Sequence, residues 1–368
     1  MKVLYYFLDL PTNMFQWQKY HIIDELATHN IFIDIFSPLK YANIGQANEM
    51  LLEAINGYDM FMTCLNETYL YLDTLQEIKK RGIPTLLFCP DNLTAPFNHK
   101  KIAPFFDLVW LTSIETEYLF KRWGAKTIFL PYAANPNLLK PISSENEILR
   151  VGFVGTPHGS RIDRINKLLD GGIPITVHTS TENFDNKLIK APILEYLKKS
   201  SLWFRYPLGR RLLIAAIRDK LGHRELMDKK NCLEIKEPVS LEKLSEINGS
   251  YALVLSFTEA DSTGILKHPV PIVNLRNFEI PMSGGLQFTM YSKEIAEYFE
   301  NDKEIILARS MEEYIDKAKF YLQAEQTSLR KRIRFAARKR AQTQHTWYNR
   351  FSCIFQSLGL YQIFGIQR

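Results

Sequence analysis

Between Asn274 and Gly285 one arginine and one carboxylate, Arg276 and Glu279, stand in an otherwise apolar run that ends in Gly284-Gly285 and leads into the strand-like Leu286 to Met290. A carboxylate on a short helix ahead of a glycine turn can accept both hydroxyls of a ribose. The glycines let a phosphate or a base come up to the backbone, because no Cβ stands in the way. A solvated helix closed by a glycine cap would use the same residues. A second turn, Gly152-Phe-Val-Gly155-Thr-Pro-His158-Gly159-Ser160-Arg161, follows a strand and opens a helix. Its amides, the positive end of that helix and Arg161 suit a diphosphate, although an ordinary strand-to-helix turn reads the same way. The turn is not G-x-G-x-x-G and no acid follows at dinucleotide spacing, which argues against NAD.

Other polar residues sit where strands end. Asp91 and Asn92 close an apolar run at Phe88-Cys89-Pro90, and Asp9 closes the first one. Doubly wound sheets bind ligands at such carboxyl edges, so Asp91 can orient or deprotonate a hydroxyl, with Asp9, Asn92 and His99 on the same acceptor side. Asx residues also simply form turns. Asp91 and His158 are the candidates for proton transfer. His268, Lys267 and Asn274 lie in loops beside the Arg276–Glu279 segment, where Lys267 can reach a phosphate. The chain contains no D-x-D, H-E-x-x-H, G-x-S-x-G or Walker loop, which argues against a metal-bridged nucleotide site, a zinc protease, a serine hydrolase and a P-loop ATPase.

The elements that must position these residues alternate. Short apolar runs at Val3–Leu8, Ile31–Phe36, Asp59–Thr63, Thr85–Phe88, Asp107–Leu111 and Thr127–Leu130 are separated by amphipathic stretches over 15–29, 46–56, 70–81 and 114–123. Strands spaced by helices of this length imply right-handed βαβ units and a parallel sheet. Pro131 to Glu147 is rich in Pro, Asn and Ser and reads as a linker. A second series follows: strands at Leu149–Val154, Ile173–His178, Tyr251–Phe257, Leu286–Met290 and 304–308, with helices at 160–169, across 192–224, and at 240–247, 292–299 and 311–323. The reading is an α/β chain with an N-terminal domain over 1–140, a second over 148–325, and basic, aromatic C-terminal helices over 326–368.

Of 368 residues, 46% are hydrophobic and 23% charged, the balance of a globular protein. No window has the length and apolarity of a membrane span, and the N-terminus lacks the long apolar core of a signal peptide. Four scattered cysteines show no metal spacing and fit reduced thiols in a cytoplasmic protein. The net charge of +6 comes from the tail, since from Gln326 onward there are nine Lys or Arg and no Asp or Glu. With the basic stretch Gly209 to Arg218, that tail reads as a peripheral contact to anionic lipid or as a solvated helix. A nucleic-acid contact is the third reading, but no nucleic-acid motif accompanies it.

The order of these pieces resembles the GT-B glycosyltransferases, in the group-1-like (family 4-like) branch that includes the CgeB-type proteins. The resemblance rests on Arg276-x-Phe278-Glu279 with Ser283-Gly284-Gly285, and on Phe153-Val154-Gly155 with Arg161. In the first half it rests on Pro90-Asp91, Phe106 to Ser113, Trp123-Gly124-Ala125 and Leu130 to Ala134, and at the end on His345-Thr346-Trp347-x-x-Arg350. The resemblance implies two Rossmann-like domains facing a central cleft, with a C-terminal helix crossing back. It implies a nucleotide-sugar donor, with Glu279 on the ribose and Arg161 plus the Gly284-Gly285 backbone on the diphosphate. No metal or other cofactor is implied. The acceptor would be a glycan or a lipid-linked molecule, and no nucleic-acid partner is expected. Many relatives carry a second glutamate eight residues before the ribose-binding one, where this chain has Pro271. The alternatives are a nucleotide-sugar epimerase of the same fold and a non-catalytic nucleotide-sugar-binding protein. Donor sugar, acceptor and stereochemical outcome stay open.

Overall fold

The computed structural model describes residues 1–141, 147–180, 200–222, 225–226, 232–260 and 262–360. The chain forms two compact units, Met1–Asn135 with the segment from Thr346 onward, and Pro136–His345. The boundary therefore falls inside the expected C-terminal segment. Of its two helices, Thr327–Gln344 belongs to the second unit and Trp347–Ser357 to the first.

The first unit holds six strands: β1 (Lys2–Tyr6), β2 (Phe32–Phe36), β3 (Met60–Thr63), β4 (Thr85–Cys89), β5 (Leu108–Leu111) and β6 (Thr127–Phe129). They are parallel and ordered β2-β1-β3-β4-β5-β6. Every residue of β3, β4 and β5 is buried, which is why these strands read as continuous apolar runs rather than alternating ones. The second unit repeats the plan with β7 (Ile148–Val154), β8 (Ile175–His178), β9 (Leu233–Lys236), β10 (Tyr251–Leu255), β11 (Gln287–Met290) and β12 (Ile306–Ala308), ordered β12-β11-β10-β7-β8-β9. Strand order reverses at β1 and at β7, so in each unit the crevice for a ligand opens at the carboxyl ends of the strands beside the reversal. In the second unit those ends carry the turn after β7 and the segment after β10.

The elements depart from expectation in a few places. The 15–29 helix contains a π-helical turn, Lys19–Ile23. The expected helix over 114–123 is a 3₁₀ turn followed by Glu117–Arg122, and the one over 240–247 runs instead from Leu244 to Ser250. Edge strand β9, Leu-Glu-Ile-Lys, is half exposed and too polar to stand out. Within the expected 192–224 helix the structure gives Pro207–Leu221; residues 192–199, 223 and 224 lie outside those described. No helix among the described residues is long and apolar enough to cross a membrane.

The cationic helix Thr327–Gln344 turns Arg330, Arg334 and Arg338 inward and leaves Lys331, Arg332 and Lys339 exposed. Arg330, at 0% exposure, binds Glu147 and donates to the carbonyls of Tyr321 (2.6 Å) and Gln323 (2.7 Å). Arg334 binds Glu147 and the carbonyls of Gly249, Tyr251 and Ala252, and Arg338 binds those of Leu139 and Met282. Spaced by four, these three arginines share the helix face that carries the buried Ile333, Ala337 and Ala341. These three fasten the helix to its own unit, so of the basic residues behind the expected lipid or nucleic-acid contact Lys331, Arg332 and Lys339 remain on the surface. A fully buried guanidinium held by an acid and two carbonyls is costly to remove, so Arg330→Ala should lower the unfolding free energy by roughly 3–5 kcal/mol in denaturant titration.

The Trp347–Ser357 helix is fixed by a buried acid. Thr346 and Asn349 form its capping box, and Glu25, fully buried, accepts the first backbone N–H groups, from Trp347 (3.2 Å) and Tyr348 (2.8 Å). Arg350 donates to the carbonyls of Pro131 and Tyr132, and Trp347 packs among Trp17, Trp110 and Tyr132. Burial pushes the Glu25 carboxyl up to about 7, against the opposing pull of the helix N–H groups. A raised folded-state value means that the protonated acid stabilises the fold at low pH and that this share is lost as pH rises through about 7. Stability followed by tryptophan fluorescence should thus decline between about pH 5 and pH 7.5, and Glu25→Gln should flatten that slope.

Candidate functional site

The segment after β10 places its polar residues by local hydrogen bonding. Asn274 caps the short helix Arg276–Met282, with its Oδ1 accepting from Arg276 N (3.0 Å) and its Nδ2 donating to the Phe257 carbonyl (3.2 Å). Asn277, buried at 0%, returns its Oδ1 to Asn274 N and its Nδ2 to Ser256 Oγ. Locked in this way, the helix presents Arg276 Nε 3.5 Å from Glu279 Oε2, with Glu279 only 5% exposed. Arg276 Nη1 is buried without a hydrogen-bond partner. Such an orphan charged donor costs roughly 1–3 kcal/mol and is the kind of group that a ribose or phosphate oxygen satisfies.

The turn after β7 reaches the same place. Arg161, at the start of the Ser160–Asp170 helix, lies over the Phe257 ring at 5.6 Å and donates to the Thr156 carbonyl (3.3 Å). Phe257 therefore joins the two motifs, with its ring under Arg161 and its carbonyl holding Asn274. Gly155 and His158 stand on this turn; the Gly155 amide is bound to the His178 carbonyl (3.0 Å), and the His158 side chain is exposed.

The Gly284-Gly285 pair does something other than expected. Gly284, at φ +79°, is the left-handed residue that ends the helix. Its amide donates to the Pro281 carbonyl and that of Gly285 to the Ile280 carbonyl, the two bonds of a Schellman cap. Both N–H groups are thus occupied and do not hold a diphosphate. A Cβ on Gly285 would also meet the Asn248 carbonyl at 2.8 Å. Asn274 is similarly engaged in capping, which leaves Arg276 and Glu279 as the groups turned to other use.

A cavity of ≈1080 Å³ opens in the second unit beside the Ser160–Asp170 helix. Lys267 and Pro271 line it, as do Arg309, stacked on Tyr291 at 3.7 Å, and a buried ion pair of Arg164 with Glu259. Sequence reasoning missed that pair. Glu259 lies just past the end of β10 and forms an antiparallel bridge with Pro271, so a residue with a carboxylate stands across the loop from that proline. The available signal was an acid two residues after the mostly apolar run Tyr251 to Phe257. His268 is exposed, and its carbonyl accepts from Arg211.

The acceptor-side candidates belong to the first unit. Asp9 pairs with Lys19 at 2.5 Å and accepts from Gln16; the Lys19 hydrogen bond leads the effects that hold its carboxyl below the usual range. Asp91 is exposed, near enough to Cys64 and Tyr132 to add to the rise that burial gives both. His99 is buried, with Nε2 3.0 Å from the Cys64 carbonyl, and burial lowers its pKa, which keeps the ring neutral at pH 7. Asn92 is not an acceptor contact. At 1% exposure it donates to the Ser113 carbonyl and Thr116 Oγ1 and accepts from the amides of Thr112 and Ser113, tying the end of β4 to that of β5. Asn92→Ala should therefore lower the melting temperature by several degrees, the equivalent of roughly 1–3 kcal/mol, and leave nucleotide-sugar affinity unchanged in titration calorimetry.

No curated protein matches the sequence. A family model described as glycosyl transferase-like matches residues 210–356, the stretch that contains Glu259, Lys267, Arg276 and Glu279. Among solved structures, Anabaena HepE in complex with UDP-glucose superposes with a TM-score of 0.56 at 13% identity, over 97% of this chain and 99% of that one. A glycosyltransferase from Rickettsia africae gives 0.59 at 12%, over 97% and 98%. An α-glucosyltransferase solved with UDP and a 13-mer DNA containing a HMU base gives 0.61 at 12%, over 98% and 99%. At these identities the structures establish the fold, and the family model adds the kinship of the second half. Residues 210–356 are thus glycosyl transferase-like, and the chain as a whole has the GT-B fold of these structures.

Proposed function

We propose that the chain is a CgeB-type transferase that moves a sugar, without a metal, from a nucleotide-sugar donor to a glycan or lipid-linked acceptor in cell-surface polysaccharide or glycoconjugate synthesis, in the cytoplasm at the inner face of the membrane. The observation that carries the reading is the Arg276–Glu279 pair, with its carboxylate buried, at the carboxyl edge beside β7 and joined to Arg161 through Phe257. Glu279 accepts the ribose hydroxyls, while Arg161, Arg276 and Lys267 neutralise the diphosphate as it leaves. Three cations and a helix N-terminus supply the charge that a bound metal would otherwise bring. Glu259, across from Pro271, is the carboxylate offered to the donor's sugar, with Arg164 fixing its orientation. On the acceptor side, Asp91 is the proton acceptor with Asp9 nearby; His158 is the second candidate for proton transfer.

Thermal shift against a panel of UDP-, GDP- and dTDP-sugars tests this directly. One donor should stabilise the protein, by about 2.7 kcal/mol at a hundredfold excess over Kd. Glu279→Ala should weaken that donor roughly 10- to 100-fold, and EDTA should leave the shift unchanged. Glu259→Gln should keep binding of the nucleoside diphosphate and lose sugar transfer. No shift with any nucleotide sugar would overturn the reading.

A further inference from the structure

The helix Pro207–Leu221 is apolar on the wrong side. Its inner face is accounted for: Gly209, Leu212 and Ala215 are buried, with Gly209 packed on the Trp203 carbonyl and the Tyr206 ring. Its outward positions are Arg210, Ile214, Ile217, Arg218 and Leu221. At 100° per residue they fall in one stripe roughly 100° wide. Ile214 and Ile217 are nearly half exposed and Leu221 is 80% exposed, while just upstream Phe204 is 66% exposed with Arg210 lying over its ring at 5.7 Å. Single exposed apolar residues need no explanation; four on one surface do.

Among the described residues from Phe204 to Leu221, the exposed charge has one sign. Arg205, Arg210, Arg218 and Lys220 are exposed beside the apolar residues. The acid of this helix, Asp219, is turned to the body, where its Oδ2 accepts from Ser262 Oγ at 2.8 Å. Long basic side chains around a bulky apolar stripe are complementary to anionic head groups with acyl chains beneath them. The Thr327–Gln344 helix, more basic by sequence, lacks this form because Phe335 is its one large apolar residue among the exposed ones, beside Lys331, Arg332 and Lys339.

We propose that the outward face of Pro207–Leu221, with Phe204, docks onto an anionic lipid bilayer. This deepens the membrane reading above by assigning it to a surface. The same helix holds the donor-side loop: Arg211 binds the His268 carbonyl next to Lys267, and Asp219 binds Ser262 at the loop's start. Docking there would seat the loop beside the lipid surface, where a lipid-linked substrate would be presented.

Flotation of the full chain with phosphatidylglycerol-containing and with pure phosphatidylcholine vesicles, at low and high salt, tests the proposal. Binding is expected to the anionic vesicles and to weaken in high salt. The Ile217→Glu, Leu221→Glu double variant should lose it by at least about tenfold, while Phe335→Glu, at the exposed aromatic of the Thr327–Gln344 helix, should bind like the parent. The double variant should keep the parent's nucleotide-sugar thermal shift, so that failure of docking is read separately from failure of donor binding. Three results would overturn the proposal: no binding to anionic vesicles, loss only with Phe335→Glu, or a dimer in solution that the double variant dissolves without any vesicle binding.

Discussion

Arg330 and its three-way hold on Glu147, Tyr321 and Gln323 is the constraint on which the second unit depends. A guanidinium at zero exposure is tolerated only when its donors are satisfied, so the Thr327–Gln344 helix has one seating. From that seating Arg338 reaches the Met282 carbonyl at the end of the Arg276–Met282 helix, the negative end of its dipole. The position of Glu279 is thus set from both sides, by the Asn274 cap at the start of its helix and by Arg338 with the Gly284 turn at the end. A short helix of seven residues has little stability of its own. Here packing and end contacts supply what length does not.

Much of the fold was legible because parallel sheets bury both faces of their strands. Runs such as Thr85 to Phe88 and Asp107 to Leu111 announce themselves, and their spacing fixes the connection type. Edge strand β9 escaped because half of it faces solvent. The tail shows a different limit. Its charge could be counted, but the direction of that charge is a matter of helix phase. Arg330, Arg334 and Arg338 share a face with Ile333, Ala337 and Ala341, a pattern visible in the sequence and outweighed by composition.

The candidate site was half legible for a similar reason. Arg276 and Glu279 are three residues apart on one helix, so their pairing follows from local spacing, whereas Gly284, Gly285, Asn274 and Asn92 are of residue types that serve ligands and backbone equally well. Only a bond list separates those uses, and for these four it favours the backbone. Glu259 was missed because its relation to Pro271 is spatial, made across a loop of eleven intervening residues, and a search at fixed spacing cannot find it.

The return of the Trp347–Ser357 helix to the first unit bears on how the protein is made. Until Thr346 has left the ribosome, Glu25 has no helix end to bind and the surface around Trp17, Trp110 and Tyr132 has no lid. The intervening second unit takes roughly 10–40 s to synthesise at ordinary elongation rates. During that interval the first sheet exists as an uncapped nascent domain with an apolar face open to water. The first unit is thus completed only after the second has been made, and the Trp347–Ser357 helix is the step that closes it.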